Sequence, residues 1–185
     1  MTNSWETLMQ GEPAAQAARI AALVPESRTE RLMLRAPRLT DFDAFVEVLC
    51  GPSTEFVGGP FTRDEAYMEF ASATGSWLLH GHGMWTVTLA KTEAVLGFVL
   101  INMEPGDLEP ELGYLFVPAA EGQGYASEAA RTAKDYAKDV LSLPSLVSYI
   151  APENHRSIAL AKRLGARLDE QMVDGSQVWR HWGHS

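Results

Sequence analysis

From Thr29 onward the apolar residues recur with regular periods. "RLMLRAP" sets Leu32 and Leu34 on one side and Arg31, Met33 and Arg35 on the other, which predicts a strand ended by Pro37. "TDFDAFVEVLCG" spaces Phe42, Phe45, Val46 and Leu49 as one helical stripe, with Thr40 as the expected cap and Gly51 as the stop. A second helix is predicted over Arg63 to Leu79, with Thr62 and Glu65 forming a capping box. Strands follow at 84–90, 94–103 and 110–118, the first two separated by a hairpin-like "KTE". A glycine-opened helix runs to about Val140, then a strand at 145–151, a helix at 154–165, and strands near "ARLDEQM" and "SQVWRHW". The order is strand, two helices, three strands, helix, strand, helix, two strands. It predicts a mixed α/β (α+β) sheet with helices on its faces.

Residues 1–28 read as a separate N-terminal extension before a main domain at 29–185. Within it "PAAQAARIAALVPES" predicts a short helix from Pro13 to Val24, either packed on the main domain or partly disordered. The 185 residues suffice for one hydrophobic core, and 46% hydrophobic with 21% charged residues is an ordinary globular composition. A net charge of −9 argues against nonspecific nucleic-acid binding but admits a cationic partner. Cys50 is the only cysteine, so no intramolecular disulfide and no paired-cysteine zinc site can form. No apolar run approaches the roughly 20 residues of a bilayer span, and the start lacks a secretory pattern. A cytoplasmic protein is expected, with no membrane partner.

The stretch "PAAEGQGYASEAARTAKDYA" puts Gly122 and Gly124 before a helix whose Ala126, Ala129, Ala130, Ala133, Ala137 and Val140 form one apolar face. The first amides of a helix lack internal partners and carry the positive end of its dipole, so bare backbone there suits a phosphate. A plain strand-to-helix turn with a glycine at positive φ explains the same residues. A P-loop would need Gly-Lys-Ser/Thr where "GYAS" stands, and a dinucleotide fold a third glycine where Ser127 stands.

The glycine stretch resembles the coenzyme A pyrophosphate loop of the GNAT N-acetyltransferase superfamily, Gln/Arg-x-x-Gly-x-Gly/Ala, here from Glu121 to Ala126. "GQGYASEA" looks like the ribosomal-protein acetyltransferase (RimJ/RimL-like) branch. "RTERLMLRAPRLTDFDAF", "PELGYLFVP" and "PENHRSIALAKRLGARLDE" are similar to other parts of that branch, in order, over residues 29 to 182. Glu121 departs from the pattern and is expected to point outward. The resemblance implies a GNAT fold, a mixed and mostly antiparallel twisted sheet of about seven strands with helices on both faces. It implies an acetyl-CoA-dependent N-acetyltransferase, a monomer or homodimer, that moves acetyl directly to a primary amine on a small molecule or peptide. It also implies that Phe116, Val117, Gly122, Gln123, Gly124, Tyr125, Ala126, Ser127, Asn154 and Ser157 meet the coenzyme. A non-catalytic acyl-CoA-binding module of the same fold is the alternative, and a nucleotide-binding domain the third reading.

Acetyl transfer requires that an amine lose its proton, that an oxyanion be stabilised and that a thiolate be protonated. Amines with pKa near ~8 to ~10.4 are mostly protonated at neutral pH, so a base should matter most at about pH 6 to 7. Glu111, opening "ELGYLFV", is the candidate base, or else a solvated strand-end glutamate; Asp107 and Glu109 lie close by in sequence. Asn154 caps its helix with Ser157 at the third position. The resemblance implies that Asn154 meets the pantetheine arm, that Ser157 serves the leaving thiolate, and that a backbone amide of the 110–118 strand polarises the thioester carbonyl. Tyr114 is either core or a further catalytic candidate. Cys50 lies away from these motifs. His80 with His82, and His181 with His184, lack the carboxylates or cysteines that would complete a metal site, so no metal is expected. Trp77, Trp85 and Trp179 are core or cleft walls.

Overall fold

The computed structural model describes residues 3–51, 54, 56 and 58–183. Helix α1 (Glu12–Ala21) and the short strand β1 (Ser27–Arg28) lead into β2 (Leu32–Arg35). Helices α2 (Phe42–Leu49) and α3 (Arg63–His80) follow, then strands β3 (Met84–Leu89), β4 (Val95–Asn102) and β5 (Glu111–Phe116). Helix α4 (Tyr125–Asp139), β6 (Leu146–Ile150), α5 (His155–Arg163), β7 (Arg167–Val173) and β8 (Ser176–Trp182) complete the chain. No described helix is long and apolar enough to cross a membrane.

The strands form one sheet in the order β1-β2-β3-β4-β5-β6-β8-β7. Every neighbouring pair is antiparallel except β5 and β6, which are parallel and share one register pair, Glu111 with Val147. The eight strands exceed the expected seven by β1, which at two residues is too short for any period to reveal. The two-residue alternation of the strands separates two cores. Trp85, Val87, Val99, Ile101 and Leu112 pack against α4, while Met84 and Phe98 pack against Phe42, Phe45 and Phe70 of α2 and α3. The alanine face of α4 is fully buried at Ala129, Ala130, Ala133 and Ala137, small side chains that bring the helix axis close to β4 and β5.

Thr40 does not cap α2. Residues Leu39–Asp41 form a 3-10 turn and Asp41 takes the N-cap position. The Asp41 carboxylate accepts the Arg38 N–H, the Thr86 hydroxyl and both terminal nitrogens of Arg35 (2.7 and 2.8 Å). That bidentate pair lets Arg35 lie only 8% exposed, although its place on the polar side of β2 suggested solvent. The α3 capping box forms, with Thr62 N–H donating to Glu65 Oε2 at 2.8 Å. α1 ends at Ala21, short of Val24, and none of its residues is buried. The residues before it are anchored: Trp5 packs on Phe42 and Tyr67, and Glu6 pairs with Arg63 of α3.

Candidate active site

The gap between β5 and β6 positions the site. At its narrow end Val147 N–H donates to Pro110 O at 3.0 Å, an ordinary parallel rung. The next rung is replaced by side chains. Tyr149 N–H donates to Glu111 Oε1 at 3.2 Å, and Leu112 O accepts the Ser148 hydroxyl at 2.8 Å. Two inserted side chains widen the spacing beyond what backbone bonds can bridge, and the strands diverge from there. His181 on β8 lies behind Ser148, with Nε2 at 3.2 Å from Oγ. Burial, then the Lys134 charge, holds the pKa of His181 down at about 4, so the ring is neutral there. On the other edge of β5, Val117 N–H donates to Leu96 O. By antiparallel alternation, the N–H groups of Tyr114 and Phe116 therefore face the gap.

A cavity of about 500 Å³ opens at this gap. Phe45, Phe61, Leu100 and Leu115 supply apolar wall on the α2–α3 side, and Tyr114, Asn154 and Ser157 line the α5 side. Glu111 stands between them, half-buried. Burial, reinforced by the Asp107 and Glu104 charges and opposed by the Tyr149 N–H, pushes the Glu111 pKa up to about 8. Glu109 is a different case: Arg180 grips it at 2.7 and 2.8 Å and holds its carboxyl low, so it is a structural anion. Asp107 lines the cavity and accepts the Glu104 N–H at 2.6 Å. Tyr114 donates its hydroxyl to Ser157 O at 3.2 Å, and burial pushes its pKa up to about 12. Ser157 N–H donates to Asn154 Oδ1, so the helix cap forms and the Ser157 side chain faces the cavity.

At the mouth of α4, Gly122 (φ 72°) and Gly124 (φ 79°) both occupy the left-handed region, where a β-carbon is strained. Gly124 is the N-cap and has no side chain to satisfy the first turn. Glu128 N–H donates to Gly124 O, but the amides of Gly122 to Ser127 have no protein acceptor among the described residues. Arg31, just before β2, braces this loop. Its Nη1 donates to Gln123 O at 3.0 Å, its Nε and Nη2 meet Glu128, and its guanidinium lies 4.8 Å from the centre of the Tyr125 ring. Gln123 folds its side chain back onto Ala119 O, which leaves only its backbone facing outward. The Glu121 carboxylate turns to Arg156 at the start of α5, 2.9 Å away, which supplies the countercharge that the unusual glutamate needs.

Val117 has both backbone groups engaged, its N–H to Leu96 and its carbonyl by Ala120, and its side chain is buried. Of Phe116 and Val117, both expected to meet the coenzyme, Phe116 alone turns its N–H to the gap. Trp77, Trp85 and Trp179 are core: Trp77 packs edge-to-face on Trp85, and Trp179 packs with Ile150 and Ala161. Cys50 ends α2, where burial raises its pKa and keeps it a thiol. His82 is buried against Ile101 O, and His184 lies outside the described residues. No group of three His, Cys, Asp or Glu suited to a metal occurs among the described residues. Arg31, Ser148 and Glu104 went unread in the sequence. Ser148 left a faint signal as a polar residue at an inward position of an apolar strand. Arg31 left none, since 92 residues separate it from Gln123.

A helix mouth that can hold an anionic group, next to a cavity that can hold a second molecule, suits group transfer between two substrates. The chain belongs to the acetyltransferase (GNAT) domain family, whose model matches residues 31–167. It is 38% identical to an acetyltransferase from Agrobacterium tumefaciens whose crystal structure superposes with a TM-score of 0.81, over 85% of this chain and 94% of that one. It is 26% identical to the uncharacterized N-acetyltransferase YnaD of Bacillus subtilis, over 76% of this chain and 82% of that protein. RimL, a ribosomal L7/L12 alpha-N-protein acetyltransferase in complex with coenzyme A, shares the fold: TM-score 0.65, 17% identity, 82% of this chain and 94% of that one.

Proposed function

We propose that this acetyltransferase moves an acetyl group from acetyl-CoA to a primary amine by direct attack in a ternary complex. The observation that carries this reading is the row of unpartnered amides from Gly122 to Ser127, on a loop that Glu121 ties to Arg156, next to Ser157 of the cavity that also holds Glu111. The amides and the helix dipole hold the coenzyme pyrophosphate. The pantetheine arm lies along the free edge of β5 at Tyr114 and Phe116, near Asn154. Glu111, directly or through a water, takes the proton from the attacking ammonium. The amine lone pair forms the C–N bond to the thioester carbon, while the Tyr114 or Phe116 N–H stabilises the oxyanion. As the C–S bond breaks, the thiolate takes a proton from Ser157 or from water near it, and the second proton lost by the acylated nitrogen, relayed through water, restores that donor. Tyr114 is poorly suited to that step, because its hydroxyl proton is committed to Ser157 O and its pKa is raised.

The test is thiol release from acetyl-CoA in the presence of a panel of amines. Ser157→Ala should lower kcat by about a hundredfold, as for loss of a general acid, and raise the KM for acetyl-CoA far less. A wild-type kcat in that variant removes Ser157 from the mechanism. Arg31→Ala should do the reverse. It removes the charge-assisted bond to Gln123 O and should raise the KM for acetyl-CoA by about tenfold with kcat nearly unchanged. An equal fall in kcat would show that Arg31 acts on the reacting atoms instead of the loop.

A further inference from the structure

Several carboxylates elsewhere in this chain meet arginines. Asp41 binds Arg35, Glu6 and Asp43 bind Arg63, Glu128 binds Arg31, and Glu109 and Asp169 share Arg180. Those of the cavity do not. Glu69, Glu104, Asp107, Glu111 and Asp174 all line it, and no Lys, Arg or His does so among the described residues. Two of them are oriented by neutral donors: Asn102 Nδ2 donates to Glu104, and Glu104 N–H to Asp107. Crowding is felt within the group, since burial and then the Asp107 and Glu69 charges raise the pKa of Glu104. Glu69, Glu104 and Asp174 are exposed at the open end, while Glu111 sits half-buried at the sheet gap. Between them the wall is apolar at Phe45, Phe61, Leu100 and Leu115. Glu69, Glu104, Asp107 and Asp174 gathered around a cavity without a counterion raise the energy of the empty site, and a cationic ligand relieves it.

Resting on the transfer reading above, we propose that the acceptor is a primary amine that carries a second positive charge beyond an apolar spacer. The reacting amine meets Glu111, the spacer lies on the aromatic and aliphatic wall, and the second charge meets Glu69, Glu104 and Asp107. A small diamine and a peptide amino terminus followed by a basic residue share this chemistry.

The experiment measures thiol release from acetyl-CoA with α,ω-diaminoalkanes of increasing length, matched monoamines, ω-amino carboxylates, and peptides with a basic or an acidic second residue. Diamines or basic peptides should exceed their matched single-charge partners in kcat/KM by about tenfold, the sum of several solvent-exposed ion pairs. The advantage should shrink as salt rises. Which arm leads, diamine or basic peptide, identifies the source of the second charge. Glu104→Gln combined with Asp107→Asn should bring the diamine-to-monoamine ratio close to one. Monoamines or amino carboxylates equal to the dications, or a ratio unchanged in the variant, would overturn the inference and leave acetyl transfer standing. No thiol release with any amine would overturn the transfer reading, and this inference with it.

Discussion

Gly124→Asp should abolish the rise in melting temperature that acetyl-CoA gives the wild-type protein. A ligand that binds only the native state at about 100 times its Kd adds about 2.7 kcal/mol, or on the order of 5–10 °C for a chain of this size. Gly124 is the N-cap of α4, and the amides that follow it are unpartnered. Aspartate is a favoured N-cap residue, and its carboxylate would occupy those amides in place of a phosphate. It would also stand beside Arg31, whose Nη2 lies 3.6 Å from the β-carbon position, and draw that guanidinium from Glu128. The contact distance is ordinary, so the fold should survive; the left-handed backbone costs about 1–2 kcal/mol and lowers the starting temperature by a few degrees. Gly124→Ala carries the same backbone strain without the charge and should keep most of the ligand-induced rise. A full rise in the aspartate variant would mean that the pyrophosphate lies elsewhere.

Local signals in this chain were legible and relations between distant strands were not. The Thr62–Glu65 box and the alanine face of α4 rest on local spacing, and both form, the face as far as Ala137; Val140, expected to close that face, is the C-cap and is exposed. The glycines could be read as a turn or as a ligand loop, and the two readings coincide: both have positive φ, and the amides beyond them are free of protein partners. The divergence of β5 from β6 had no signature, because a two-residue period reports which face a side chain takes and is silent on which strand lies alongside. The residues that replace the missing rung, Glu111 and Ser148, are 38 and 36 positions from their partners. Thr40 was misjudged as a cap for a related reason. Asp41 one residue later is claimed by Arg35 and Thr86, and that network carries the chain through a 3-10 turn before α2 begins.

Glu111→Gln should lower kcat/KM by about 10² to 10⁴ below pH 8 and erase the break in the pH profile. With an alkylamine acceptor of pKa near ~10.4, the productive pair is an ionised Glu111 and a protonated amine. Since Glu111 titrates at about 8, the wild-type rate should climb with unit slope to about pH 8 and then level. The variant has no base and depends on the free amine, so its rate should climb without a break toward the amine's own pKa. The ratio of the two is then constant below about pH 8 and narrows above it. An ordinary glutamate would give a ratio that keeps growing down to about pH 4.5. Stability supplies a second readout that needs no substrate. The native state keeps a proton that the unfolded chain releases, so Glu111 makes stability fall as pH rises from about 4.5 to about 8, by up to about 1.4 kcal/mol per pH unit. Glutamine can still accept the Tyr149 N–H and does not titrate. The variant should therefore gain on the wild type across that window and hold a constant lead beyond it, as urea midpoints at about pH 5 and about pH 9 would reveal. A wild-type break well below pH 8, together with parallel stability curves, would return Glu111 to the ordinary carboxylate range and leave proton removal to a water chain.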